Sequence, residues 1–81
     1  MKVVHVRWLD SEAAGEWLEI KDQVRPLSLT DSVGMLIAET ENSIVLALSR
    51  DSETESILCH QHIPITAIEE IRTLCHVNLK T

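Results

Sequence analysis

Aromatic side chains are almost missing from this chain. Its 81 residues include no Phe and no Tyr, and only two Trp, Trp8 and Trp17. Single-stranded nucleic acid is held largely by bases stacked on aromatic rings, so that mode of recognition has little to work with. Positive charge is scarce as well. Seven Lys and Arg face thirteen Asp and Glu, a net charge of −6. The basic residues Lys2, Arg7, Lys21, Arg25, Arg50, Arg72 and Lys80 are scattered singly. Phosphate neutralisation dominates nucleic-acid affinity, so the charge points to a protein partner and gives no expectation of DNA binding. Glycine occurs only at Gly15 and Gly34, which excludes a Gly-rich phosphate loop. The two cysteines, Cys59 and Cys75, make no disulfide framework. They read as reduced, buried small apolar residues of a cytoplasmic protein. No apolar run approaches the ~20 residues of a membrane helix. The amino terminus, MKVVHVRWLD, is broken by His5 and Arg7 and lacks the small-residue cleavage site of a secretory signal. The expectation is a soluble protein with no membrane partner.

At this length the chain is one domain, residues 1–81. Such a domain buries only about 60–65% of the surface its unfolded form exposes. Small cores are usually supplemented by disulfides, a metal or a partner subunit. With no disulfide framework, a homo-oligomer is the expected supplement.

What the chain does have is alternation. Val4, Val6 and Trp8 fall on one side of a strand over Val3–Leu9, with Val3, His5 and Arg7 on the other. Asp10 and Ser11 stop it. Ala13, Trp17, Ile20 and Val24 lie at helical spacing, and the reading places a short helix or turn within Trp17–Gln23. Pro26 pushes Arg25 toward extended geometry, so the helix ends before it. Ser32–Glu39 reads as the next strand, where Gly34 marks a bend or a close backbone approach. A polar turn at Glu39–Asn42 leads to a strand at Ser43–Ser49, apolar on both faces and therefore interior to the sheet. Arg50–Glu55 is a charged loop, and Ser56–Ile63 the following strand. Pro64 ends it, Ile65–Ala67 makes one helical turn, and Ile68–Leu74 closes the set. In that last strand Ile68 and Glu70 share one face, and Glu69, Ile71 and Thr73 the other.

The stretch SVGMLIAETENSIVLALS followed by IPITAIEEIRTL resembles the Sm-like (LSm, Hfq-type) small β-barrel over Ser32–Leu74. Nearly the whole chain is similar to a group of short phage and prophage proteins of unassigned function. The shared features are Trp8 and Asp10, Trp17, Val33-Gly34, Ile63-Pro64, and Ile68 with Ile71. The resemblance implies an all-β fold, a five-stranded antiparallel Sm-like barrel with a short helix or loop after the first strand. It also implies assembly as a ring, with edge strands paired between subunits. Ile57, Cys59, Ile63, Ile68 and Ile71 are then interface residues, and the cytoplasm is that of a host bacterium. RNA binding of the Hfq type would place Gln61, His62 and Arg72 toward RNA. That family's contact run is an aromatic, a Lys and a His, and Gln61-His62-Ile63 has neither the aromatic nor the Lys.

Side-chain chemistry is sparse. Cys59-His60-Gln61-His62, with Cys75-His76 and His5, is the one grouping with metal-ligand types. His60 and His62 share a strand face, as metal-binding pairs on sheets do. Cys-x-x-Cys spacing is absent, so ordinary polar strand faces are the simpler reading. Protonation of the same histidines could split or remake a ring. Ser, His and Asp occur in no nucleophile-turn context, so no catalytic residues and no cofactor are expected. The sequence thus predicts a non-enzymatic oligomeric binding module, a protein-interaction or regulatory adaptor. Sm-like RNA binding and His-mediated metal binding are the alternatives.

Overall fold

The computed structural model describes residues 1–10 and 28–78. Trp17 and the helix or turn expected at Trp17–Gln23 lie outside them. Five strands are present: β1 Lys2–Asp10, β2 Ser28–Glu39, β3 Ser43–Asp51, β4 Ser56–Pro64 and β5 Ile68–His76. They form one open sheet in the order β4-β3-β2-β1-β5, every neighbouring pair antiparallel. A 3-10 turn at Ile65–Ala67 is the one helical element among the described residues.

The alternation in β1 sets the core. Val4, Val6 and Trp8 are buried, and they stand opposite Gly34, Ser32 and Thr30 of β2. Bulk on β1 therefore meets small residues on β2. Gly34 is required by the packing: a Cβ there would lie 3.0 Å from the Ala47 carbonyl oxygen and 3.3 Å from the Leu46 Cβ. Ile44 and Leu46 of β3 and Ile63 of β4 complete the buried cluster, with Leu36, Ala67 and Ile68 packed against it.

The sheet cannot be flat. β4 and β5 are its two edges, yet only Ile65–Ala67 separates them in sequence. Four strand spacings put the edges of a flat sheet about 19 Å apart. A 3-10 link from Pro64 to Ile68 spans roughly 8 Å. The sheet must curl so that the end of β4 comes round toward the start of β5. The core agrees, since Ile63 from one edge and Ile68 from the other pack in a single cluster. The Ile65 amide donates to the Asn42 carbonyl at 2.8 Å, which fastens the link to the β2–β3 turn.

Side chains shape the turns. Thr40 Oγ1 accepts from the amides of Asn42 (3.2 Å) and Ser43 (3.0 Å). Asp51 Oδ1 accepts from the Glu53 amide at 2.9 Å, and Arg50 pairs with Glu55 across the base of the β3–β4 turn. Glu55 takes the left-handed conformation there, at φ 57°.

Several expectations are corrected. β2 begins at Ser28, not Ser32, because its pairing with β1 runs unbroken from Val3↔Met35 to Asp10↔Ser28. β3 runs on to Asp51 and β5 to His76. Ile68 does not share a face with Glu70. The β1–β5 register shifts between Arg7↔Glu70 and Trp8↔Ile68, a bulge that skips Glu69 and turns Ile68 to the side of Ile71 and Thr73. Cys59 and Cys75 are free but exposed, not buried. Both sit on edge strands, where no described element packs over them.

Candidate interaction surface

The two edges differ in character. On β4, His60 and His62 stand opposite Ala47 and Val45, and their rings meet edge to face with centroids 5.5 Å apart. A structural zinc site needs four ligands. Among the described residues no group of three or more His, Cys, Asp and Glu is placed to hold a metal. His5 is engaged by Asp31, and His76 lies on β5 opposite Lys2, so the four histidines do not gather.

Gln61 faces the other way, into a relay. The Trp8 indole Nε1 donates to Ser32 Oγ at 3.0 Å, and that hydroxyl donates to Gln61 Oε1 at 3.1 Å. This chain of bonds satisfies the one polar atom of the buried Trp8. Next to it Cys59 adopts φ 55°, left-handed backbone inside a strand. The β3–β4 pairing passes from Ala47↔His60 to Ser49↔Leu58 at constant register and skips Cys59. The β4 edge is therefore interrupted in its middle and ends on Pro64, which has no amide to donate.

On β5 the outer face joins a ladder of charge across three strands. Asp31 of β2 accepts from His5 Nε2 at 2.7 Å and from Arg7 Nε at 3.1 Å. Arg7 stands opposite Glu70, and His5 opposite Arg72. Arg72 Nε lies 3.7 Å from Glu70. The hydrogen bond from Arg7, then that from His5, holds the Asp31 carboxyl below the usual carboxylate range. The same bond raises Arg7 above its ordinary value. The inner face of β5 opens on a groove of about 410 Å³ walled by Val4, Leu36, Ile44, Ile68 and Ile71, with Lys2 and Glu39 as its charged members.

The residues expected at an interface are spread over both edges. Ile57 is half-buried, Cys59 exposed, Ile68 half-buried and Ile71 45% exposed. Ile63 is fully buried in the chain's own core, so at that point β4 offers a partner only backbone. Gln61, His62 and Arg72 are not brought together: Gln61 and His62 occupy opposite faces of β4, and Arg72 is on β5. Sequence reasoning missed Glu70. Its signal was available, because Glu-x-Arg in β5 and His-x-Arg in β1 put four ionisable groups at period two on adjacent strands. Comparison with protein families, curated proteins and solved structures finds no match to this chain.

Proposed function

We propose that this chain is a non-enzymatic, homo-oligomeric binding module, an Sm-like small barrel of the kind found in short phage and prophage proteins. It assembles through its open strand edges and engages another protein. One observation carries the reading. Two nine-residue edge strands, β4 and β5, have no second neighbour among the described residues. They flank a core in which seven apolar side chains are buried among the described residues. Unpaired edges invite strand addition, and a core this small gains most from it. The strand order and the curl forced by the three-residue link support the barrel part of the reading.

The charge pattern favours a protein partner over RNA. Arg7 lies against Asp31, Arg50 against Glu55 and Arg72 against Glu70, so these cations are already matched by carboxylates. Native mass spectrometry at micromolar concentration tests the oligomer, and a monomer under those conditions refutes it. A filter-binding titration with mixed RNA checks the partner class. Affinity falling steeply with salt would transfer the reading to RNA.

A further inference from the structure

β5 differs from β4 in being complementary to itself. We propose that β5 pairs with β5 of a second copy, antiparallel about a two-fold axis through Ile71, and that this isologous dimer is the unit of assembly. The inference rests on the homo-oligomer reading above and names which edge meets which.

Three observations converge on it. First, β5 hydrogen-bonds only β1 among the described residues, which leaves its other edge open. Second, the stretch Glu70–Arg72 lies between two bulges, at Glu69 and Leu74. Centred on Ile71, an antiparallel pair sets Glu70 opposite Arg72 of the second copy, and Arg72 opposite its Glu70. Opposite charges directly across a strand pair stabilise it, and like charges oppose it. Symmetry makes both contacts favourable at once. Third, Ile71 is 45% exposed on the inner face beside the apolar groove. The Ile71 side chain of the second copy meets it across the axis and covers that opening. The β4 edge matches β5 less well, being interrupted at Cys59 and closed by Pro64.

Charge-reversed variants test this register. Glu70→Arg sets two positive charges against each other across the axis in the homodimer, and Arg72→Glu sets two negative ones. Each alone should weaken self-association by about tenfold or more. Mixing the two restores it, because every facing pair in the mixed dimer is again opposite in sign. A role of these residues within one chain does not predict recovery on mixing. A second variant is independent of charge. Residues on the axis pair with themselves at about 4.5–5.5 Å between Cα atoms, within disulfide reach. Ile71→Cys, with the exposed Cys59 and Cys75 changed to Ser, should therefore cross-link to a covalent dimer under glutathione disulfide. If the unmodified protein is monomeric, both the homo-oligomer reading and this pairing fail. If it is oligomeric yet the charge variants associate normally and Ile71→Cys gives no cross-link, the oligomer stands and the β5–β5 pairing is overturned. A head-to-tail ring built by β4 adding to β5 would give that second result.

Discussion

At the scale of single residues, two contacts decide how tightly β1, β2 and β3 close. Gly34 leaves no room for a methyl group, and the nearest obstacle is a backbone oxygen that cannot rotate away. Gly34→Ala should therefore destabilise the fold by about 1–3 kcal/mol, read as a lower urea midpoint at unchanged m-value. The Trp8–Ser32–Gln61 relay gives a graded test. Ser32→Ala strands the indole N–H of a buried Trp and should cost about 1–2 kcal/mol. Gln61→Ala removes only the exposed end of the relay and should cost clearly less. Equal losses would mean that the relay does not satisfy Trp8. Asp31 supplies the pH dependence. Its carboxyl is held low in the folded state, so its contribution is complete above the unfolded value of about 3.9. That contribution disappears as pH falls through the lower folded value. The stability gap between the native chain and Asp31→Asn should be widest near neutrality and narrow below about pH 4, as urea titrations at each pH will show.

At the scale of elements, β4 turns on Cys59. A left-handed residue with a Cβ costs about 1–2 kcal/mol, and glycine would not pay it. Cys59→Gly should raise the melting temperature or leave it unchanged, whereas the β-branched Cys59→Val should lower it. The reverse order would mean that the left-handed kink is not a feature of the folded strand. Nothing in the sequence announces this kink, because Cys is not a residue that favours positive φ. The regular parts were legible for the opposite reason. Val4, Val6 and Trp8 alternate without a break, and so do Ile44 and Leu46, so period two reports the buried face directly. Reading failed where the period slips. The bulge at Glu69 moves Ile68 to the other face, and alternation alone carries no mark of an inserted residue. The start of β2 was missed because Leu29, Thr30 and Asp31 have no apolar period. Pairing with β1 keeps them in the sheet. The edges themselves were expected from the resemblance of the closing strands. Glu70 has one partner, Arg72, two residues along its own strand, but the other, Arg7 on β1, is brought opposite it only by the strand pairing.

At the scale of the whole molecule, the proposed assembly would make stability depend on protein concentration. Only seven side chains are buried among the described residues, and the last strand has none. Ile71 and Leu74 of β5 are about half exposed, which is the condition a partner strand would change. If folding and association are coupled, unfolding releases separate chains, and mass action raises stability with protein concentration. For a dimer, each tenfold increase should add about 1.4 kcal/mol per mole of dimer. The melting temperature should climb steadily from low micromolar to several hundred micromolar protein. The Glu70→Arg variant should melt below the native chain at every concentration, because a weaker association constant lowers the midpoint while the two-chain stoichiometry still sets the climb. An equimolar mixture with Arg72→Glu should regain the native midpoint. A melting temperature that ignores concentration throughout would mean that this small core folds without a second copy, and edge pairing would then contribute nothing to holding the fold together.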